Sequence, residues 1–155
     1  PDIQFVWAGN FAFKGISEGR KEIMEHMDDL PDNVHFLGLV ERDRMNEFFN
    51  MGDVMLQLSF EELFPMTILE SMNANIPLLL RDLPEYKPIL FDYYLKANSQ
   101  QTFKDELTKL KEDADYYAKA CEGSKRGEQF YSKESILEQW QQFYDKVATE
   151  RNLLS

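Results

Sequence analysis

Two glutamates, Glu62 and Glu70, lie on either side of a predicted transition from strand to helix, with seven residues between them. An apolar run of strand length, Val54 to Leu58, comes first, and a loop follows from Ser59 to Phe64. Pro65 then stands where the first residue of a helix is favoured, because the N–H that proline lacks would have no helical partner there. Carboxylates in these positions can accept hydrogen bonds from the hydroxyl groups of a ligand.

The helix predicted after Pro65 ends near Asn73, and its N-terminus should open toward the carboxyl end of the preceding strand. Its first free N–H groups, from Met66 and Thr67 onward, form an anion site because the peptide dipoles are aligned. Two carboxylates beside that site would repel a bare phosphate, so a ligand with hydroxyl donors is needed to explain them. A sugar joined to a diphosphate supplies both groups.

The elements that must position these residues follow an alternating order of strands and helices. This order predicts a Rossmann-like, doubly wound parallel sheet with ligands at the carboxyl ends of its strands. The predicted strands are Ile3 to Ala8, Val34 to Gly38, Val54 to Leu58, Pro77 to Leu80 and Tyr94 to Ala97. The predicted helices between them are Ser17 to about Asp29, Asp43 to Asn50 and Pro65 to about Asn73.

Only helical patterns follow Gln101, so we predict an α/β core over residues 1–100 and a helical C-terminal tail over residues 101–155 of the same domain. Phe103, Leu107 and Leu110 mark the first tail helix, and the second is predicted from Tyr116 to about Gly123. Ser132 is predicted to cap the third. Trp140 and its aromatic neighbours on that helix are interpreted as packing residues.

The stretch from Ser59 to Pro77 resembles the donor-binding signature of retaining glycosyltransferases of family 4, which have the two-domain GT-B fold. Those proteins pair two glutamates with seven residues between them, and Glu62 and Glu70 match both positions. Three earlier segments are similar to the strand segments that precede the signature in that family: Ile3 to Gly9, Asn33 to Gly38 and Met51 to Met55. The resemblance implies the C-terminal half of a GT-B glycosyltransferase, without the N-terminal domain that binds the acceptor.

The resemblance also implies a role for individual residues. Glu62 is the catalytic candidate and contacts the hydroxyl groups of the donor sugar, while Glu70 accepts hydrogen bonds from the ribose. Backbone N–H groups between Phe64 and Thr67 hold the sugar and phosphate. The donor-binding candidates are therefore Gly9, Phe64, Pro65, Met66, Thr67 and Glu70.

Five positions either depart from the family pattern or allow a purely structural role. The family usually has glycine where this chain has Pro65, which removes one N–H from the cradle, and again at Asn75. Because asparagine tolerates the left-handed conformation, a helix-ending turn is still expected at Asn75. Gly9 either approaches the nucleotide or serves only as a turn after its strand. Arg81 and Asp82 are compatible with a simple salt-linked turn.

The amino-acid sequence from Glu62 to Glu70 looks most like that of Gram-positive bacterial enzymes that glycosylate diacylglycerol glycolipids. The resemblance implies a UDP-hexose donor, no cofactor, and front-face displacement with retention, without a metal ion. It implies transfer of the hexose to an acceptor hydroxyl, with a diacylglycerol glycolipid as one acceptor class and a capsular or other cell-surface polysaccharide precursor as another. The fragment alone is predicted to be inactive.

Composition limits the other function classes. The net charge of -11, from 28 acidic and 17 basic side chains, argues against nucleic acid as a partner and against docking on an anionic membrane. One cysteine, Cys121, is compatible with a reducing cytosol. His26 and His35 lack partners at ligand spacing, so no metal site is predicted. We predict a cytoplasmic protein whose parent enzyme is peripheral at the inner membrane face, with membrane contact only through the absent half.

Two alternatives from other classes stay open at this point. A stand-alone binding module of flavodoxin-like shape should carry an aspartate cluster or a phosphate-cradling glycine-rich loop, and neither is visible in the sequence. An inactive relative that keeps the fold and partners a catalytic subunit would differ from an enzyme in donor binding and in its full-length context.

Overall fold

The computed structural model describes residues 2–10, 20–27 and 29–152, which fall into two compact units divided between Phe48 and Phe49. In the first unit, β1 (Phe5–Ala8) and β2 (Val34–Gly38) pair in parallel, and α1 (Arg20–Met27) lies between them in sequence. The remainder of the predicted first helix, residues 17–19 and 28, lies outside the described residues. A 3-10 turn at Arg42–Arg44 then leads into α2 (Met45–Met51).

The second unit contains a parallel sheet in the order β3 (Met55–Gln57), β4 (Leu78–Arg81), β5 (Leu95–Ala97). Between its strands come α3 (Met66–Asn73), a 3-10 turn at Pro84–Tyr86 and α4 (Lys87–Leu90). The tail consists of α5 (Gln100–Glu112), α6 (Ala114–Phe130) and α7 (Lys133–Asn152). The predicted α/β class with parallel strands and C-terminal helices is confirmed, with the strands in two sheets, one in each unit. The predicted division at residue 100 stays a prediction.

The core of the second unit surrounds β4, whose alternate side chains point to opposite faces of the sheet. Leu78 and Leu80 belong to a cluster with Ile68 and Met72 of α3. Leu79 joins a separate cluster on Ala97 and Phe103. Because both faces are covered, β4 reads in the sequence as an unbroken apolar run.

The end of α3 follows the expected geometry. Asn75 has φ of 63°, its N–H donates to the Met72 carbonyl at 2.9 Å, and the Ile76 N–H donates to the Ser71 carbonyl at 3.3 Å. These two bonds form a Schellman motif, so the predicted left-handed turn at Asn75 is confirmed.

The predicted end of the second tail helix near Gly123 is wrong, because α6 continues to Phe130. Glycine there serves close packing rather than termination. A Cβ atom on Gly123 would lie 3.1 Å from the Tyr93 carbonyl oxygen, and one on Gly127 would lie 2.6 Å from the Met72 Sδ atom. The two glycines therefore allow α6 to approach α3 and the chain before β5 closely.

The interpretation of the α7 aromatics as packing residues is also wrong for the described part of the chain. Trp140, Phe143 and Tyr144 are each more than half exposed. The cap is as predicted, since the Ser135 N–H donates to the Ser132 hydroxyl at 3.2 Å. The short helix α4 was not among the predicted helices.

Candidate functional site

The carboxyl edge of the second sheet is formed by the last residues of its three strands. Gln57 ends β3 opposite Leu80, and Arg81 ends β4 opposite Ala97, the last residue of β5. In parallel α/β sheets this is the edge where ligands bind. The loop that carries Glu62 leaves the sheet here.

Glu62 is half-buried and is held by a neighbour on β3. The Gln57 side-chain amide donates to Glu62 Oε1 at 2.7 Å and to Ser59 Oγ at 2.8 Å. Gln57 was not among the predicted site residues, although a polar residue that ends an apolar strand is a signal for a site at the sheet edge.

The N-terminus of α3 follows the same loop. Pro65 is the N-cap residue, with φ of −67° and ψ of 127°, and not the first helical residue as predicted. Its extended ψ places the first helical conformation at Met66. No side chain caps α3, and the N–H groups of Met66 and Thr67 precede any intrahelical partner, so they can face an anion.

The two predicted residues on either side of this N-terminus have different environments. The Phe64 ring is half-buried and packs against the core, with its centroid 5.5 Å from that of Tyr131, so its side chain anchors the loop. Glu70 is exposed and lies three residues after Thr67, which puts both on one face of α3. Glu70 is therefore accessible to a ligand that occupies the helix N-terminus.

Tyr86 adds a buried hydroxyl near Glu62 that the sequence analysis missed. Its side chain is fully buried, and its hydroxyl has no hydrogen-bond partner among the described residues. Burial, and then the negative charge of Glu62, raise the pKa of Tyr86 to about 12. The hydroxyl is therefore protonated at physiological pH.

Arg81 links the ends of three strands, and it was not among the predicted site residues. Its Nε donates to the Leu58 carbonyl at 3.0 Å, and its Nη1 donates to the Asn98 carbonyl at 3.2 Å. Its guanidinium carbon lies 3.9 Å from the centroid of the Phe60 ring. These partners replace the salt-linked turn with Asp82, whose Oδ1 is buried without a hydrogen-bond partner in the described chain.

Gly9 lies at the end of β1 in the first unit, whereas the other predicted site residues lie in the second. It has φ of 150°, and its N–H donates to the Gly38 carbonyl at 2.8 Å. A Cβ atom here would meet the Trp7 ring at 3.1 Å. The conformation and the crowded space favour glycine, and its contact with a nucleotide stays a prediction.

The described residues lack two other kinds of structural feature. They contain no group of three or more His, Cys, Asp or Glu side chains placed to hold a metal ion. None of the helices in this part of the chain has the length and apolar character needed to span a membrane.

The chain is similar to one known protein family and to two named proteins. The family model described as "Glycosyl transferases group 1" matches residues 1–127. The chain is 36% identical over 148 residues to the alpha-galactosylglucosyldiacylglycerol synthase of Streptococcus pneumoniae, a match that covers 96% of this chain and 40% of the relative. It is 27% identical over 112 residues to the processive diacylglycerol alpha-glucosyltransferase of Acholeplasma laidlawii, covering 71% of this chain and 33% of that protein. The chain thus spans well under half the length of these relatives.

Solved structures share the fold at low identity. The crystal structure of Anabaena HepE in complex with UDP gives a TM-score of 0.76 at 17% identity, covering 96% of this chain and 42% of that one. The crystal structure of a GtfA/B complex gives a TM-score of 0.71 at 15% identity, covering 93% of this chain and 29% of that one.

Proposed function

Because the chain belongs to the group 1 glycosyl transferases, we propose that its second unit binds a UDP-hexose as the donor part of a retaining enzyme that glycosylates a diacylglycerol glycolipid. The observation that carries the proposal is the half-buried Glu62 carboxylate, fixed at 2.7 Å by Gln57, in the loop that leads into the uncapped N-terminus of α3. A carboxylate in this place suits sugar hydroxyls, and the helix N-terminus suits phosphate.

In this proposal each residue acts on a different part of the donor. The N–H groups of Met66 and Thr67 stabilise the diphosphate as negative charge develops on the leaving group. Glu62 accepts hydrogen bonds from the sugar hydroxyls and so orients the anomeric carbon, while Glu70 accepts from the ribose. The acceptor hydroxyl attacks from the face that the diphosphate leaves, and a diphosphate oxygen takes its proton, so configuration is retained.

The acceptor assignment rests on the relatives. Both are named for diacylglycerol glycosylation, and both are much longer than this chain. We propose that the acceptor site lies in an N-terminal domain of a longer parent protein, which also makes the contact with the cytoplasmic membrane face. An acidic donor domain is repelled by anionic lipid, so basic and apolar residues of that other domain must supply the attraction.

The test is a binding screen of the 155-residue chain by ligand-observed saturation-transfer NMR, which detects weak complexes. UDP, UDP-glucose and UDP-galactose should give saturation transfer, and GDP-mannose should give much less. The chain alone should transfer no sugar to a diacylglycerol glycolipid, because transfer requires donor and acceptor to be positioned together and the acceptor site is proposed to lie outside this chain. No binding of any nucleotide sugar, or sugar transfer by the isolated chain, would contradict the proposal.

A further inference from the structure

Gln57 holds Glu62 by a bond whose direction the chemistry fixes. A carboxylate only accepts hydrogen bonds, so the amide nitrogen of Gln57, and not its oxygen, must face Glu62 Oε1. A bond to an ionised acceptor is stronger than one between neutral groups. It occupies one acceptor position and leaves others on both carboxylate oxygens for ligand hydroxyl groups. Gln57 is thus placed to orient Glu62 without blocking it.

The loop on which Glu62 lies is anchored at both ends, so this orientation can be kept. At its start, Arg81 binds the Leu58 carbonyl at 3.0 Å and packs on the Phe60 ring. At its end, Phe64 packs into the core against Tyr131. Between these anchors, the side chain of Gln57 donates a hydrogen bond to the Glu62 carboxylate.

We propose that Gln57 is a positioning residue for recognition of the donor sugar: its amide holds the Glu62 carboxylate in the orientation that accepts hydrogen bonds from the sugar hydroxyls. This inference rests on the proposed function. It assigns to Gln57 an effect on the sugar and not on the nucleotide, because Glu62 lies before the helix N-terminus and Glu70 lies after it. A residue that only stabilised the loop would affect both ligands alike.

The test replaces Gln57→Met, which keeps the length of the side chain and removes both donors. The matched control is Gln101→Met on α5, because the Gln101 amide donates to Asp105 Oδ1 at the same 2.7 Å. Affinities for UDP and UDP-glucose are measured for both variants, for Glu62→Ala and for the Gln57→Met, Glu62→Ala double variant. Thermal unfolding of each protein checks that it is folded.

We expect Gln57→Met to weaken UDP-glucose binding about tenfold, as for loss of one charge-assisted bond, and UDP binding less than about twofold. The control should match the wild type. In the Glu62→Ala background, Gln57→Met should cause no further loss, since contacting residues are coupled in a double-mutant cycle. Equal losses for the two ligands, or additive losses in the cycle, would overturn the role of Gln57 while the proposed function stands. A wild-type chain that binds neither UDP nor UDP-glucose would overturn both.

Discussion

The interior of β4 and the carboxyl edge of the same sheet show two different uses of a strand. Leu78, Leu79 and Leu80 are at most 1% exposed and make the core. At the edge, Gln57 and Arg81 end their strands with polar side chains that hold the loop carrying Glu62. The interior should therefore determine stability and the edge should determine ligand selectivity, with little overlap between the two.

The largest effect is expected in the interior. Leu79→Ala should lower the free energy of unfolding by about 2–5 kcal/mol, because the fully buried leucine packs on Phe103 and the smaller alanine would leave a cavity there. Urea unfolding followed by circular dichroism measures it. Leu63→Ala is the control, since Leu63 is 90% exposed and should change stability by less than about 0.5 kcal/mol. Similar losses in the two variants would contradict the described core.

At the edge, Glu62→Ala should weaken UDP-glucose binding by about tenfold to a hundredfold and UDP binding far less, since it removes acceptors for sugar hydroxyls only. Saturation-transfer titration of both ligands measures the two affinities. Glu61→Ala removes an adjacent, exposed carboxylate and should leave both unchanged. Equal weakening of UDP and UDP-glucose by Glu62→Ala would show that Glu62 does not recognise the sugar.

Glu70→Gln should weaken UDP and UDP-glucose together, by about tenfold, because both ligands contain the ribose and an amide oxygen is a weaker acceptor than a carboxylate. Glu134→Gln on α7 makes the same change in charge at another exposed position and serves as the control. If Glu70→Gln affected only UDP-glucose, the ribose would not be its ligand.

The residues that could be found from the sequence lie close together along the chain and are recognisable by their type and spacing. Glu62, Glu70 and the helix start after Pro65 lie within one short stretch, and β4 is recognisable because burial on both faces requires an apolar run. Gln57 bonds to Ser59 and Glu62, two and five residues away, and its polar type at the end of an apolar strand was the available signal. Arg81 could not be assigned in the same way. Arg81 meets carbonyls 23 and 17 residues away, and those partners depend on the parallel register of three strands.

Two predictions about the fold were wrong for a similar reason, because contacts between residues far apart in the sequence decide the outcome. Gly123 was interpreted as the end of a helix, but its small size is required by the Tyr93 carbonyl, a contact that no local pattern shows. Helical spacing on α7 predicted burial for Trp140, yet spacing alone specifies only that apolar side chains share a face. Whether that face is covered depends on tertiary structure.

A smaller effect, visible only at high pH, is expected from two buried tyrosines of the core, Tyr86 and Tyr94. Burial first, and then nearby negative charge, raise the pKa of both Tyr86 and Tyr94 to about 12, from a usual value of 10.0. A raised pKa favours the protonated form in the folded state. The contribution of these tyrosines to the free energy of unfolding is therefore complete below pH 10 and is lost as the pH rises toward 12. The free energy of unfolding measured across that window should fall, and that of the Tyr86→Phe variant should fall less steeply. Stability that is constant to pH 12 would contradict the burial of these hydroxyls.

The smallest effect is expected on α7, where an apolar residue lies outside the core. Trp140 is 53% exposed, and its ring contacts are to Phe143 and Tyr144 of its own helix, at centroid distances of 6.0 and 5.7 Å. Trp140→Ala should therefore change the free energy of unfolding by less than about 0.5 kcal/mol, although the same substitution at a buried tryptophan costs about 3–5 kcal/mol. Urea unfolding beside Leu79→Ala gives the direct comparison. A loss above about 2 kcal/mol would show that apolar character, and not exposure in this structure, decides which residues stabilise the chain.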